Sequence, residues 1–403
     1  MQFEDKVLKR YELFVGIAIF AMAAAVALQK MFFEDASLAL INLFFSLLPT
    51  IYILFSKTEK KFNSEILIGI IIILVRLITS IFSFDKLDTY DIVVQLCYDV
   101  SLIFNIMSIY LVFDRIKVSK TFDFKYVNYG LIISTIIYCV YNLIGNFKYF
   151  AYFDDIAKRR LISFSGFFAN RNLFGIMLFL ALIATYYEIN KRKTKFLVIT
   201  KYVFIFNLIL TLSRNAILSF VIFFLIENSI QKKYKVLVAM VVLLVSLLLT
   251  NAFGLRDILF TYVIRSDEMT SGRTIIWGTC LEVFLDSPLI GYGELYISRL
   301  IDGLTGVTSM HSWFFKLLLT GGIINLFAYA CIVLDCFRKS LHIMKIKHKH
   351  ANIALPVMIG FFSYGLFEEI NLFEFGLINM CVTFYMIIMP KVLYNQEREK
   401  IDE

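Results

Sequence analysis

ILIGIIIILVRLITSIFS, residues 66–83, is an apolar run interrupted by a single charge, Arg76. Strands this apolar are shorter, and helices on a protein surface carry a charged side, so the run belongs across a lipid bilayer. At a rise of about 1.5 Å per residue, a helix of this length approaches the roughly 30 Å thickness of bilayer hydrocarbon. Working outward, comparable runs lie near 11–29, 37–56, 92–113, 126–146, 173–190, 196–212, 216–230, 236–254, 314–336, 351–367 and 375–390. Together they predict about twelve transmembrane helices. Composition agrees, with 59% apolar and 18% charged residues and a mean hydropathy of +0.76. The chain therefore reads as an all-α integral membrane protein, a single polytopic domain over 1–403, with membrane lipids as neighbours and no nucleic acid as partner. Five of its cysteines fall in the spans and Cys280 in a loop, so no disulfide framework or metal site follows.

Charge orients the spans. The N-terminal tail, the alternate loops from KTEKKFNSE to RKSLHIMKIKHKH and the C-terminal tail hold 25 of the 40 Lys and Arg. Positive residues are retained on the cytoplasmic side, so both termini are expected there, in a multi-pass protein of the cell membrane. Lys6, Lys9 and Arg10 followed by an apolar run and Ala25-Val26-Ala27 could mark a secretory signal, but the run is long for one and an uncleaved helix is expected. Arg76 and Asp99 stand on neighbouring spans and are expected to form a structural ion pair. Other charges within spans include Lys201, Lys316 and, at a helix end, Glu368 and Glu369.

Two larger outer loops depart from the charge bias. Residues 147–172 hold five Lys or Arg and residues 255–313 hold four. In the first loop Arg159 and Arg160 either pair with Asp154 and Asp155 in an interfacial helix or face a ligand. Arg171 lies where the chain re-enters the membrane, between Asn170 and Asn172, side chains able to cap a helix or to bond a ligand oxygen. Arg214 sits in the polar knot Ser213-Arg214-Asn215 of LILTLSRNAILSF, a hairpin between two spans, where an arginine either snorkels or is paired. In the large loop, 255–312, SGRTIIW at 271–277 opens an amphipathic helix that stops at Ser287-Pro288. Its stripe of Ile276, Trp277, Cys280, Leu281 and Phe284 is expected to pack on the bundle or membrane. Arg273 lies in its first turn. Gly291-Tyr292-Gly293 permits a tight turn. His311, in MHSWFF at 310–315, is the one histidine on the outer side. A helix N-terminus and nearby arginines favour its neutral form, which can accept a proton.

RRLISFSGFFANRNLFG, LTLSRNA, SGRTIIW, the Gly-Tyr-Gly turn and a histidine about ten residues before Gly321-Gly322 together resemble the O-antigen ligase and polymerase superfamily of bacterial surface polysaccharide assembly. The resemblance covers about residues 155–335. One departure is Ser312, where the superfamily often has asparagine. The resemblance implies a glycosyltransferase whose donor is an undecaprenyl-diphosphate-linked oligosaccharide and whose product is a growing polysaccharide. It also implies a flippase and a chain-length regulator as candidate protein partners. His311 would be the catalytic base, and Arg214 and Arg273, with Arg171 and Arg160 in support, would bind the diphosphate. The chemistry fits, because an attacking sugar hydroxyl needs a base and a departing diphosphate needs cations.

No Asp-x-Asp occurs, so arginine is expected in place of a metal, and no cofactor is implied. A single displacement with no carboxylate nucleophile predicts inversion. A composition rich in Ile, Lys, Phe and Tyr fits an AT-rich genome, common among capsule producers that lack lipid A, and favours a polymerase over a ligase acting on lipid A-core. A lipid-linked oligosaccharide flippase has a similar size and span number, and remains the alternative without chemistry.

Overall fold

The structure, a computed structural model, describes residues 2–32, 35–56, 65–110, 122–147, 164–235, 272–346 and 351–402. Among these residues every regular element is helical. Helices α1 (Gln2–Phe32), α2 (Asp35–Phe55), α3 (Glu65–Ser83), α4 (Thr89–Ser108) and α5 (Lys125–Gly145) precede the first large loop. After it come α6 (Arg171–Lys191), α7 (Lys195–Thr211) and α8 (Arg214–Ile230). Then follow α9 (Arg273–Asp286), α10 (Glu294–Thr305), α11 (Trp313–Ile346) and α12 (Ala354–Gly365). The chain closes with α13 (Leu377–Thr383), a π-helical stretch (Phe384–Ile388) and α14 (Met389–Asp402).

Among the described residues, seven stretches are long and apolar enough to cross a membrane: Lys6–Lys30, Glu65–Lys86, Thr89–Ser108, Lys125–Gly145, Arg171–Lys191, Trp313–Lys345 and Leu377–Glu397. Several apolar helices and outward-facing side chains such as Phe55, Phe82, Ile144 and Phe327 make this a multi-pass membrane protein. Helices also occupy the remaining expected spans within the described residues. The expected span 236–254 lies outside them, as does most of the 147–172 loop with Arg159 and Arg160.

α6 is the central helix. Every residue from Phe174 to Glu188 is buried, which a sequence apolar on all sides requires. Phe179 packs on Phe223 and Phe361, and Phe174 on Tyr138, so aromatic rings fill the space between α5, α6, α8 and α12. At α1 and α5 the backbones meet directly: a Cβ on Gly16 would lie 2.4 Å from the Tyr126 carbonyl oxygen, and one on Gly130 would lie 2.6 Å from that of Gly16. Carboxamides join the helices where apolar packing has no direction, as where Asn142 Nδ2 donates to Asn207 Oδ1 at 3.0 Å.

The expected tenth span is not one continuous helix. Gly321 and Gly322 break α11, with Gly322 at φ 66°. The turn 288–293 fits into the break and replaces the lost helical bonds. Tyr292 N donates to Leu319 O at 2.9 Å, Gly293 N to Thr320 O at 2.9 Å and Ile323 N to Pro288 O at 2.8 Å. Only glycine fits at this seam, since a Cβ on Gly322 would stand 2.1 Å from the Leu289 carbonyl. The two glycine motifs of the sequence are thus two halves of one joint.

Beside the joint, α9 and α10 share a small core of Ile276, Cys280, Val283, Ile297, Ile301, Met310 and Leu319. The α9 stripe differs from expectation at one position. Leu281 is 52% exposed and Val283 takes its buried place, because the helix packs on α10 as well as on α11.

Candidate active site

The segment that leaves α12 is where the loop residues converge. Glu368 and Glu369 follow the end of α12 in a turn closed by Phe367 N and Glu368 N on Tyr364 O. Glu368 is 7% exposed and faces α6, α8 and α9. Its Oε1 accepts three hydrogen bonds: from Asn172 Nδ2 at 2.9 Å, Asn215 Nδ2 at 2.9 Å and Arg273 Nη2 at 2.8 Å. Its Oε2 lies 3.4 Å from His311 Nδ1. One buried carboxylate therefore gathers Arg273 and His311, together with the residues that follow Arg171 and Arg214 in the chain.

Helix starts aim these groups. Asn170 caps α6 by accepting from Leu173 N at 3.0 Å, which puts half-buried Arg171 in the first turn. α7 ends with Leu212 at φ 51°, and α8 starts two residues later, with Arg214 half-buried as its first residue. Ser213 Oγ donates to Asn172 Oδ1 at 3.0 Å, tying the two helix starts together. α9 begins at Arg273, the guanidinium of which also lies over the Phe367 ring at 5.9 Å. Arg160 and Ser271 lie outside the described residues.

His311 stands two residues before α11, with φ 49°. A left-handed backbone costs a non-glycine residue about 1–2 kcal/mol, and fixed neighbours hold it there. Met310 N donates to Glu369 Oε1 at 2.6 Å, Met310 O accepts from Trp277 Nε1 at 3.0 Å, and His311 N donates to Ser309 Oγ at 3.2 Å. The ring is about a quarter exposed. The group facing it is a carboxylate, where the sequence reading placed only arginines and a helix end. With its proton on Nδ1, the imidazole donates to Glu368, and Nε2 keeps a lone pair for an incoming hydroxyl.

Glu369 turns the other way and joins the site to a buried ion network. Its Oε2 accepts from Lys316 Nζ at 3.1 Å, and Lys316 also pairs with Glu294. Arg76 then binds Glu294 at 2.8 Å, Asp99 at 3.0 Å and Glu374 at 3.2 Å. The expected Arg76–Asp99 pair is present, enlarged by two carboxylates distant in sequence. Removing one member would strand a buried charge, so the network fixes the middles of α3 and α4 and the first turns of α10 and α11 relative to Glu369. Burial, and then Glu294, push the Glu374 carboxyl up to about 8. Against its own burial, Lys316 and Arg76 hold Glu294 below the usual carboxylate range. Burial raises the Cys280 thiol to about 12, so it packs as an apolar side chain and not as a nucleophile.

Sequence reading missed Glu368, which it took for a charge at a helix end. Two acids closing an apolar run on the side that carries the displaced arginines were the available signal.

No curated protein matches the chain. Residues 199–330 match the O-antigen ligase family, a stretch that takes in Arg214, Arg273 and His311, and that match supports the resemblance to the O-antigen ligase and polymerase superfamily.

Proposed function

We propose that the protein polymerises lipid-linked oligosaccharide repeat units for a capsule, exopolysaccharide or O-antigen, on the outer face of the cell membrane. Glycan passes from undecaprenyl diphosphate to a sugar hydroxyl, with inversion and without a metal ion. The observation that supports this is the shared carboxylate. Arg273 and His311 meet on Glu368, and Arg214 and Arg171 each stand one residue from an asparagine bonded to the same oxygen.

In the reaction His311 Nε2 removes the proton of the acceptor hydroxyl as its oxygen attacks the anomeric carbon. The bond from that carbon to the diphosphate oxygen breaks, and the diphosphate departs with the electron pair. Arg214, Arg273, Arg171 and Arg160 receive that charge. A guanidinium has five N–H donors, and the bond from Arg273 to Glu368 uses one of them. Glu368 is a poor nucleophile here, since one oxygen already accepts three bonds and the other faces the imidazole. Its role is to position His311 and Arg273, which keeps the displacement direct and inverting.

The test is turnover of the purified chain with a polyprenyl-diphosphate-linked repeat unit, read by mass spectrometry. His311→Ala is expected to stop product formation, and an undiminished yield would remove the base from the scheme. In cells, deletion should collapse the lipid-linked ladder to a single repeat unit. Long chains left on the carrier would indicate a ligase instead.

A further inference from the structure

Behind Glu369 lies a cavity of about 560 Å³ that the reaction scheme leaves unused. Its walls come from the last turns of α1, the outer ends of α2, α4 and α6, residues 167–169 and the segment 364–379. Four carboxamides line it, Gln29, Asn42, Asn371 and Asn379, beside the paired rings of Tyr98 and Phe375, whose centroids are 4.6 Å apart. Among the described residues no Lys or Arg lines it, and Glu369 is the sole carboxylate there. Asn42 is 8% exposed, and its Oδ1 has no hydrogen-bond partner among the described residues. A buried carboxamide oxygen left unbonded costs free energy, so a ligand donor is the natural complement.

We infer that this cavity is the subsite for the acceptor saccharide, and thus the part of the molecule that selects which sugar is extended. Carboxamides both donate to and accept from vicinal hydroxyls, and aromatic rings cover the apolar C–H faces of pyranoses. A volume of about 560 Å³ holds about two or three such rings. A lipid chain would leave the Asn42 oxygen unbonded. The groove of about 350 Å³ walled by Ile68, Ile71, Ile323, Ile324 and Phe327 has the lining that a chain needs.

The absence of a cation among the described lining residues separates acceptor from donor. A donor sugar enters with its diphosphate attached to the reacting carbon, whereas an acceptor hydroxyl can sit on a sugar remote from its own lipid diphosphate. The cavity also adjoins the base. Glu369 lines it, and Glu368, the preceding residue, holds His311. Tyr364 lines it as well, and its hydroxyl donates to the carbonyl of Asn172 at 3.5 Å. All of its lining residues fall outside 199–330, so the stretch shared with the family carries the arginines and histidine while this chain's own flanks build the cavity.

This inference rests on the glycosyl-transfer reading, and binding tests it separately from turnover. The probe is the free oligosaccharide released by mild acid from the cell's own lipid-linked repeat unit, titrated into the purified full chain in detergent. Asn42→Leu and Asn371→Leu are each expected to weaken its binding by about tenfold, the effect of one lost buried hydrogen bond. Binding of undecaprenyl diphosphate should stay unchanged. Asn42→Leu should melt no lower than wild type, because it removes an unbonded polar group, and this separates lost binding from misfolding. His311→Ala should bind the oligosaccharide normally, so a failed base assignment would leave this result intact. The inference is overturned if the oligosaccharide does not bind, if both variants bind it as wild type does, or if undecaprenyl diphosphate or a co-purified phospholipid competes for the site.

Discussion

Glu368 is the residue on which the candidate site turns, and its replacement distinguishes positioning from packing. Glu368→Gln keeps the volume and loses the charge that orients both His311 and Arg273. We expect kcat to fall about 100-fold with little change in KM, and a fall in thermal stability alone, with turnover intact, would contradict the assignment. Arg214→Lys and Arg273→Lys keep the charge but lose the fork, so inhibition by undecaprenyl diphosphate should weaken by about tenfold in each, measured in a competition assay. Arg273 and His311, which the structure brings to one carboxylate, were legible because each is a polar residue in a segment that charge bias reads as outer. Glu368 was not, since its partners Asn172, Asn215 and Arg273 lie 196, 153 and 95 residues away in the chain. Distance in the string hides a contact that no local pattern encodes.

At the scale of elements, the glycine joint makes a sharp prediction. Gly322→Ala would force a methyl group onto the Leu289 carbonyl at a positive φ. A loss of about 1–3 kcal/mol is expected from backbone strain alone, seen as a lower melting temperature in detergent together with reduced turnover. Gly278, inside α9 with nothing within 4 Å of its Cβ position, is the control, and Gly278→Ala should gain up to about 1 kcal/mol. Helix positions were legible in this sequence because lipid demands long apolar runs. The interruption of α11 was not, because a glycine pair in such a run carries no mark saying whether the helix bends there or receives another strand of backbone. Leu281 was misplaced for a related reason. A helix with two packing partners turns its stripe toward both, and the second partner is absent from a periodicity argument.

For the molecule as a whole, the buried ion network sets a pH dependence. The Glu374 carboxyl is raised from its ordinary value of 4.5 to about 8, so folding favours its protonated form. Its contribution to stability is complete below about pH 4.5 and is lost as pH rises through about 8. Melting temperature across that window should therefore fall less steeply in Glu374→Gln than in wild type, read by a fluorescence melt in detergent. Transfer of glycan by the purified chain in detergent, with no vesicle and no membrane potential, is expected on the enzymatic reading, and its absence would favour a transporter. The joint between 288–293 and 319–324 has a longer reach in time. It is made from peptide groups, which every amino acid brings, so descendants of this chain can rewrite the letters along that seam while the handful of glycines stays. Inheritance there acts on outline and leaves spelling free, and the loop bearing His311 can diverge without drifting from its station.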